Sequence, residues 1–99
     1  MTKLDPKDRS FEDIGARLKA IRKITGLSQK EFAAKAGIKD TTYNQYENGA
    51  SQPKIEYARA LCDTYGLSLD WLYNGDTSNL PFRIATELLK QAKDTKEPV

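Results

Sequence analysis

Residues 29–48 read QKEFAAKAGIKDTTYNQYEN, and they constrain the local architecture more tightly than any other part of the chain. Phe32 and Ala36 lie four apart, as neighbours on one helical face do, and Tyr43 and Tyr46 lie three apart on a second face. The segment therefore predicts two short helices, each with a narrow buried stripe. Gly37 falls between them. A sharp turn there calls for positive φ, which glycine adopts without steric cost, and Ile38 then leads the chain toward the second helix. Ala33 is small enough to let the two helices cross closely.

The chain has 99 residues, enough for one domain with a modest core and too few for a two-domain enzyme with a deep cleft. No run approaches the roughly 18 apolar residues of a membrane span, and the start, MTKLDPKDRS, lacks the apolar core of a signal peptide. The expected location is the cytoplasm, with no membrane partner. Cys62 is the single cysteine, so no internal disulfide can form, and its place in an apolar helical stripe predicts a buried thiol. Histidine is absent, which removes the commonest general base and the commonest zinc ligand. Without a paired-carboxylate pattern either, the sequence predicts no catalysis, metal site or cofactor. The net charge is +2, but residues 1–39 carry ten Lys or Arg against five Asp or Glu. That bias suits phosphate contact, and a solvated surface of mixed charge would account for it equally well.

Residues 1–9 are polar, contain Pro6 and show no periodicity, so they read as a mobile leader or basic arm, with order beginning at Ser10. Ser10 and Asp13 form a capping-box pattern, and Phe11, Ile14, Leu18 and Ile21 recur at helical spacing until Gly26. Ser28 and Glu31 form a second box, with Leu27 packed just before it. A third helix runs from about Asp40 to Asn48 and ends at Gly49 in a left-handed cap. After Pro53, residues Ile55, Ala58, Leu61, Cys62 and Tyr65 mark a fourth helix closed by Gly66. Ser68 caps a short fifth helix through Leu72 and Tyr73, which Gly75 ends. Residues 76–79 are turn-like, and Phe82, Ala85, Leu88, Leu89 and Ala92 then predict a sixth helix before the charged tail DTKEPV. No strand or repeat is visible.

On the third helix Asp40, Thr41, Asn44, Gln45 and Asn48 make a polar face turned away from Tyr43 and Tyr46. A short helix face rich in donors and acceptors suits the major groove, where each base pair shows a distinct hydrogen-bond pattern. A polar outer face is also ordinary solvation. The 20-residue spacing and the capping box favour the first reading, and double-stranded DNA is the expected partner. Gln45 is the best base reader, because its amide donates and accepts together at an adenine edge; Thr41 can offer its methyl to thymine, and Asp40 can accept from cytosine or act instead as the N-cap. Lys39 reaches guanine or a phosphate, and Asn44 is the fifth expected base reader. Phosphate contacts are expected from Gln29 and the start of the second helix, and from Asn48 and Lys54 around the following loop. For Lys54 ordinary surface charge is an equal alternative.

With LKAIRK, GLSQKEFAAKAGI, YENG and YGLSLDWLYNG in place, roughly residues 11–74 resemble the lambdoid phage repressor and Cro type of helix-turn-helix domain, the XRE family. The resemblance implies an all-α, five-helix lambda-repressor-like bundle whose third helix enters the major groove. It also implies DNA contacts at Gln29, Lys39, Asp40, Thr41 and Gln45, and it pairs Arg22 with Glu47. The pair has its own sense: Glu47 lies on the inner side of the third helix and Arg22 follows Ile21, so a bidentate bridge would tie the two helices. Two departures stand out. Lys39 takes the place of the Ser or Thr that caps the recognition helix in many relatives. Tyr43 replaces a β-branched aliphatic residue, so its hydroxyl needs a partner.

The leading expectation is a sequence-specific DNA-binding transcriptional regulator, a repressor by type; the alternative is a protein-interaction module such as an antitoxin or adaptor. The domain plan is a leader over 1–9, the DNA-binding domain over 10–75, and over 76–99 a C-terminal helix and tail as a candidate dimerisation element. One recognition helix reads few base pairs, so a homodimer on a near-palindromic operator is expected. Trp71, Leu72 and Tyr73 with the sixth-helix stripe are the candidate interface, and folding of that helix onto its own domain is the equal alternative.

Overall fold

The helices follow one another as α1 (Pro6–Thr25), α2 (Gln29–Lys35), α3 (Asp40–Glu47), α4 (Ile55–Tyr65), α5 (Leu69–Asn74) and α6 (Phe82–Thr95). This computed structural model describes the backbone of residues 6–95 and the side chains of residues 11–91. Among the described residues there is no strand, and the arrangement is that of a lambda-repressor-like bundle, with five core helices and a sixth at the C-terminal end.

α1 begins earlier than the Ser10 capping box predicts. Pro6 occupies the first helical position, where its fixed φ is already helical and its missing N–H would have had no partner. Ser10 is therefore inside α1 and not at its cap; its side chain and leader residues 1–5 lie outside the described residues.

Ile14, Leu18 and Ile21 of α1 meet Phe32 and Ala33 of α2, Tyr43 and Tyr46 of α3, and Leu61 of α4, all buried. Each large apolar side chain so buried contributes about 1.5–3 kcal/mol. Phe32 is the centre of this contact. Its ring stacks on Tyr65 at a centroid distance of 4.0 Å and tilts against Tyr43 at 5.3 Å, and its carbonyl accepts the Tyr65 hydroxyl at 2.7 Å.

The turn between α2 and α3 forms as the glycine spacing predicts. Gly37 has φ +76°, its N–H donates to Ala34, and the Ile38 N–H reaches back to the Ala33 carbonyl at 2.9 Å. This is a Schellman closure, in which the two residues of the outer bond, Ile38 and Ala33, are both buried and seal the turn. α3 ends the same way, with Gly49 donating to Tyr46 and Ala50 to Gln45.

The C-terminal region divides the expected apolar stripe. Trp71 and Leu72 are core residues, 5% and 0% exposed, and Tyr73 is half-buried with its hydroxyl donated to the Pro53 carbonyl. Trp71 and Leu72 therefore belong to the interior and not to an interface, because α5 needs them to close the bundle. α6 packs on α1, with Ile84, Ala85 and Leu88 partly buried against the core, and buried Leu80 precedes it. Phe82 and Leu89 stay 85% and 69% exposed, and the Ala92 side chain and residues 96–99 of the tail lie outside the described residues. Cys62 is buried, and burial followed by the nearby Asp63 charge pushes its thiol up to about 11, which keeps it protonated and unreactive.

Candidate nucleic-acid interface

α2 presents its N-terminus beside α3 because Ser28 fixes where α2 begins. The Ser28 hydroxyl accepts from the Glu31 N–H at 3.1 Å, and the Glu31 carboxylate accepts from the Ser28 N–H at 3.0 Å, the reciprocal box read from the sequence. The Ser28 N–H, followed by the Ser28 hydroxyl, holds the Glu31 carboxyl below the usual range.

α3 starts differently. Lys39 is its N-cap and makes no side-chain cap bond, so the alternative of Asp40 as N-cap does not hold: Asp40 is the first helical residue. There its negative charge faces the positive end of the helix dipole. Lys39, Asp40, Thr41, Gln45 and Asn48 are all exposed, and Asn44 is half-buried. Ser28 at the N-cap of α2, with Gln29 and Lys30 of its first turn, faces Asp40, Thr41, Asn44 and Gln45 across an open groove of about 580 Å³. Four of the five expected base readers thus share one groove with Gln29; Lys39 stands beside it at the helix start. Lys30 was not singled out in the sequence, although it adjoins Gln29 and is exposed. Lys54 is exposed at the N-cap of α4, outside the groove, and it too makes no side-chain cap bond.

Behind this face lies the ion pair that orients it. Arg22 Nε donates to Glu47 Oε2 at 2.7 Å and Nη2 to Oε1 at 3.2 Å, while Nη1 reaches the Leu27 carbonyl at 3.2 Å. The Glu47 side chain is only 3% exposed. The Tyr43 hydroxyl donates to Glu47 Oε2 at 2.6 Å, which supplies the partner that its place in α3 demanded. Gln29 Nε2 donates to Oε1 at 2.9 Å. Burial pushes the Glu47 carboxyl up, but the bonds from Arg22, Tyr43 and Gln29 outweigh it and hold the group below its ordinary value. Burial, then the bond to Glu47, pushes the Tyr43 phenol up, so it remains a donor.

The outer amides continue from there. Asn44 Nδ2 donates to Gln29 Oε1 at 2.8 Å, and Asn48 Nδ2 donates to Asn44 Oδ1 at 3.0 Å. Sequence spacing placed these three residues on the surface, but it gave no sign that they bond to one another. No helix is long and apolar enough to cross a membrane, and no metal-binding cluster of His, Cys, Asp or Glu occurs, among the described residues.

A model of the helix-turn-helix family matches residues 18–72, the span from mid-α1 through α5. The chain is 36% identical over 55 residues to antitoxin PezA of Streptococcus pneumoniae, a match covering 56% of this chain and 35% of PezA. It is 26% identical over 73 residues to the cryptic phage CTXphi transcriptional repressor RstR of Vibrio cholerae, covering 74% of this chain and 66% of RstR. The transcriptional regulator ImmR of Bacillus subtilis is 29% identical over 87 residues, covering 82% of this chain and 68% of ImmR. The first of these relatives is thus much longer than the segment it shares. No solved structure matches the chain significantly.

Proposed function

The chain belongs to the helix-turn-helix family, and from that premise we propose that it is a cytoplasmic, sequence-specific DNA-binding transcriptional regulator of the repressor type. α3 lies in the major groove, and binding occludes a promoter or operator without any catalytic step. The observation that carries this reading is the exposed face of Asp40, Thr41 and Gln45, open to a groove with the start of α2 and held from behind by a half-buried ion pair. Gln45 reads a base edge, Thr41 and Asp40 its neighbours, and Lys39, Gln29, Asn48 and Lys54 lie toward phosphates. The likeness to RstR, named a transcriptional repressor, supports the same reading.

A homodimer completes it, since two recognition helices about 34 Å apart match half-sites one turn apart on a near-palindromic operator. Selection of bound sequences from random duplex DNA tests the proposal. Enrichment of a two-fold symmetric site is expected. The likeness to PezA, named an antitoxin, together with the acidic Asp40 on the presented face, favours a protein-interaction module as the second reading. If no duplex is enriched, that reading takes its place.

A further inference from the structure

The amides on the recognition face are ordered by the carboxylate beneath them. A carboxylate can only accept hydrogen bonds, so whatever meets Glu47 must donate. Gln29 therefore turns Nε2 inward to Glu47, which leaves Oε1 facing outward. An outward acceptor can only be met by a donor, and Asn44 supplies Nδ2. Its Oδ1 then points along α3 and receives Nδ2 of Asn48. The direction of every bond follows from Glu47, whose charge is fixed by Arg22.

On the reading that α3 faces DNA, we infer that Glu47, Gln29, Asn44 and Asn48 form a directional relay in which Asn44 positions the recognition face and does not read a base. Asn44 has one N–H committed to Gln29 and one lone pair of its Oδ1 committed to Asn48, so its amide plane is set within the relay and is not free to turn toward a base edge. Sequence readout falls to Asp40, Thr41 and Gln45, which are exposed on the same groove. Tyr43 reinforces the arrangement, because its hydroxyl occupies Oε2 and leaves Oε1 to Gln29.

The test uses the full chain in two arms. In the first, without DNA, chemical denaturation is measured for Asn44→Asp, Gln29→Lys and the double variant. Asn44→Asp sets an acceptor against Gln29 Oε1 and should lower the unfolding midpoint. Gln29→Lys, which can only donate, should restore the midpoint in the double variant, a coupling that independent surface sites would not show. In the second arm, duplex selection compares Asn44→Ala with Gln45→Ala. Asn44→Ala should weaken binding to all sequences by the same factor and leave the enriched site unchanged, whereas Gln45→Ala should relax one base pair. Additive midpoints in the first arm, or a changed preference at one base pair with Asn44→Ala, would overturn the relay. If the wild type enriches no duplex, the DNA reading fails and Asn44 loses its part in readout, while the folding cycle still upholds or overturns the relay.

Discussion

Gly15 of α1 lies against the backbone carbonyl of Glu47 at the end of α3, with no space for a side chain between them. A Cβ at Gly15 would also fall 2.7 Å from the Tyr46 carbonyl oxygen, and neither backbone atom can swing aside as a flexible side chain would. Glycine inside a helix costs about 1 kcal/mol relative to alanine, so Gly15→Ala would stabilise α1 in isolation. Overpacking a closed contact costs about 1–3 kcal/mol, and this contact is backbone against helix. The expected outcome is net destabilisation of about 1–2 kcal/mol in urea unfolding, with α3 displaced from α1 and DNA affinity reduced. A more stable variant would show that the two helices separate freely.

Arg22 is the counterion that lets Glu47 remain charged while nearly dry. Arg22→Ala leaves that charge uncompensated and should destabilise the fold by roughly 3–5 kcal/mol. The same pair sets an acid response. Because the folded Glu47 carboxyl lies below its ordinary value of 4.5, its contribution is fully present above that pH and is lost as pH falls through the lower folded value. Thermal unfolding followed against pH should fall off more steeply below pH 4.5 in the wild type than in Glu47→Gln, which has no charge to lose there. Parallel curves would remove Glu47 from the acid response.

Gln45→Ala removes an exposed amide that the fold does not use for any side-chain contact described above. Stability should stay within about 0.5 kcal/mol of wild type. Affinity for the preferred site should drop by about 1–3 kcal/mol, with preference relaxed at one base pair. Gel shifts on single-base variants of the selected site check this, and an equal loss on every variant would assign Gln45 to the backbone of the duplex.

Lys54 caps α4 with its backbone and leaves its ammonium in solvent. If it neutralises one phosphate, Lys54→Ala should lower the slope of log affinity against log salt by about 1 and leave the base preference intact. An unchanged slope would make Lys54 ordinary surface charge.

Most helix boundaries were legible because each was marked by a side chain with local chemistry. Ser28 with Glu31, Ser68, Gly37, Gly49 and Gly75 all act within one turn of their own backbone, so spacing alone reveals them. Ser10 misled because a Ser and an Asp three residues apart can also occur inside a helix, and Pro6 was the stronger start signal. The Arg22–Glu47 pair was reached through family likeness and inner-face placement, but the Gln29–Asn44 bond was not. It joins two helices across 15 residues of sequence and depends on how α2 and α3 cross, which periodicity does not encode. Gly15 escaped for the same reason: nothing in α1 alone shows that Glu47 passes beside it. Trp71 and Leu72 looked surplus to a five-helix core because hydrophobic counting cannot tell which face of a short helix closes the bundle.

The dimer proposed for operator binding is best tested on Phe82 and Leu89. They lie seven residues apart on α6, so they fall on one helical face, and Ile84, Ala85 and Leu88 already serve the domain's own core. Removing residues 80–99 would also remove buried Leu80 and that core contact, and loss of the dimer could not then be separated from loss of the fold. Joint replacement of Phe82 and Leu89 by Ser changes only exposed positions. An antiparallel pairing of two α6 helices would set Phe82 of one copy near Leu89 of the other, a self-complementary contact of the kind a two-fold axis requires. Sedimentation of the double variant should show monomer where the wild type shows dimer. Its unfolding midpoint at low protein concentration should be unchanged, and its affinity for a two-half-site duplex should fall to that for a single half-site. A dimer that survives both substitutions would place the two-fold interface elsewhere on the domain.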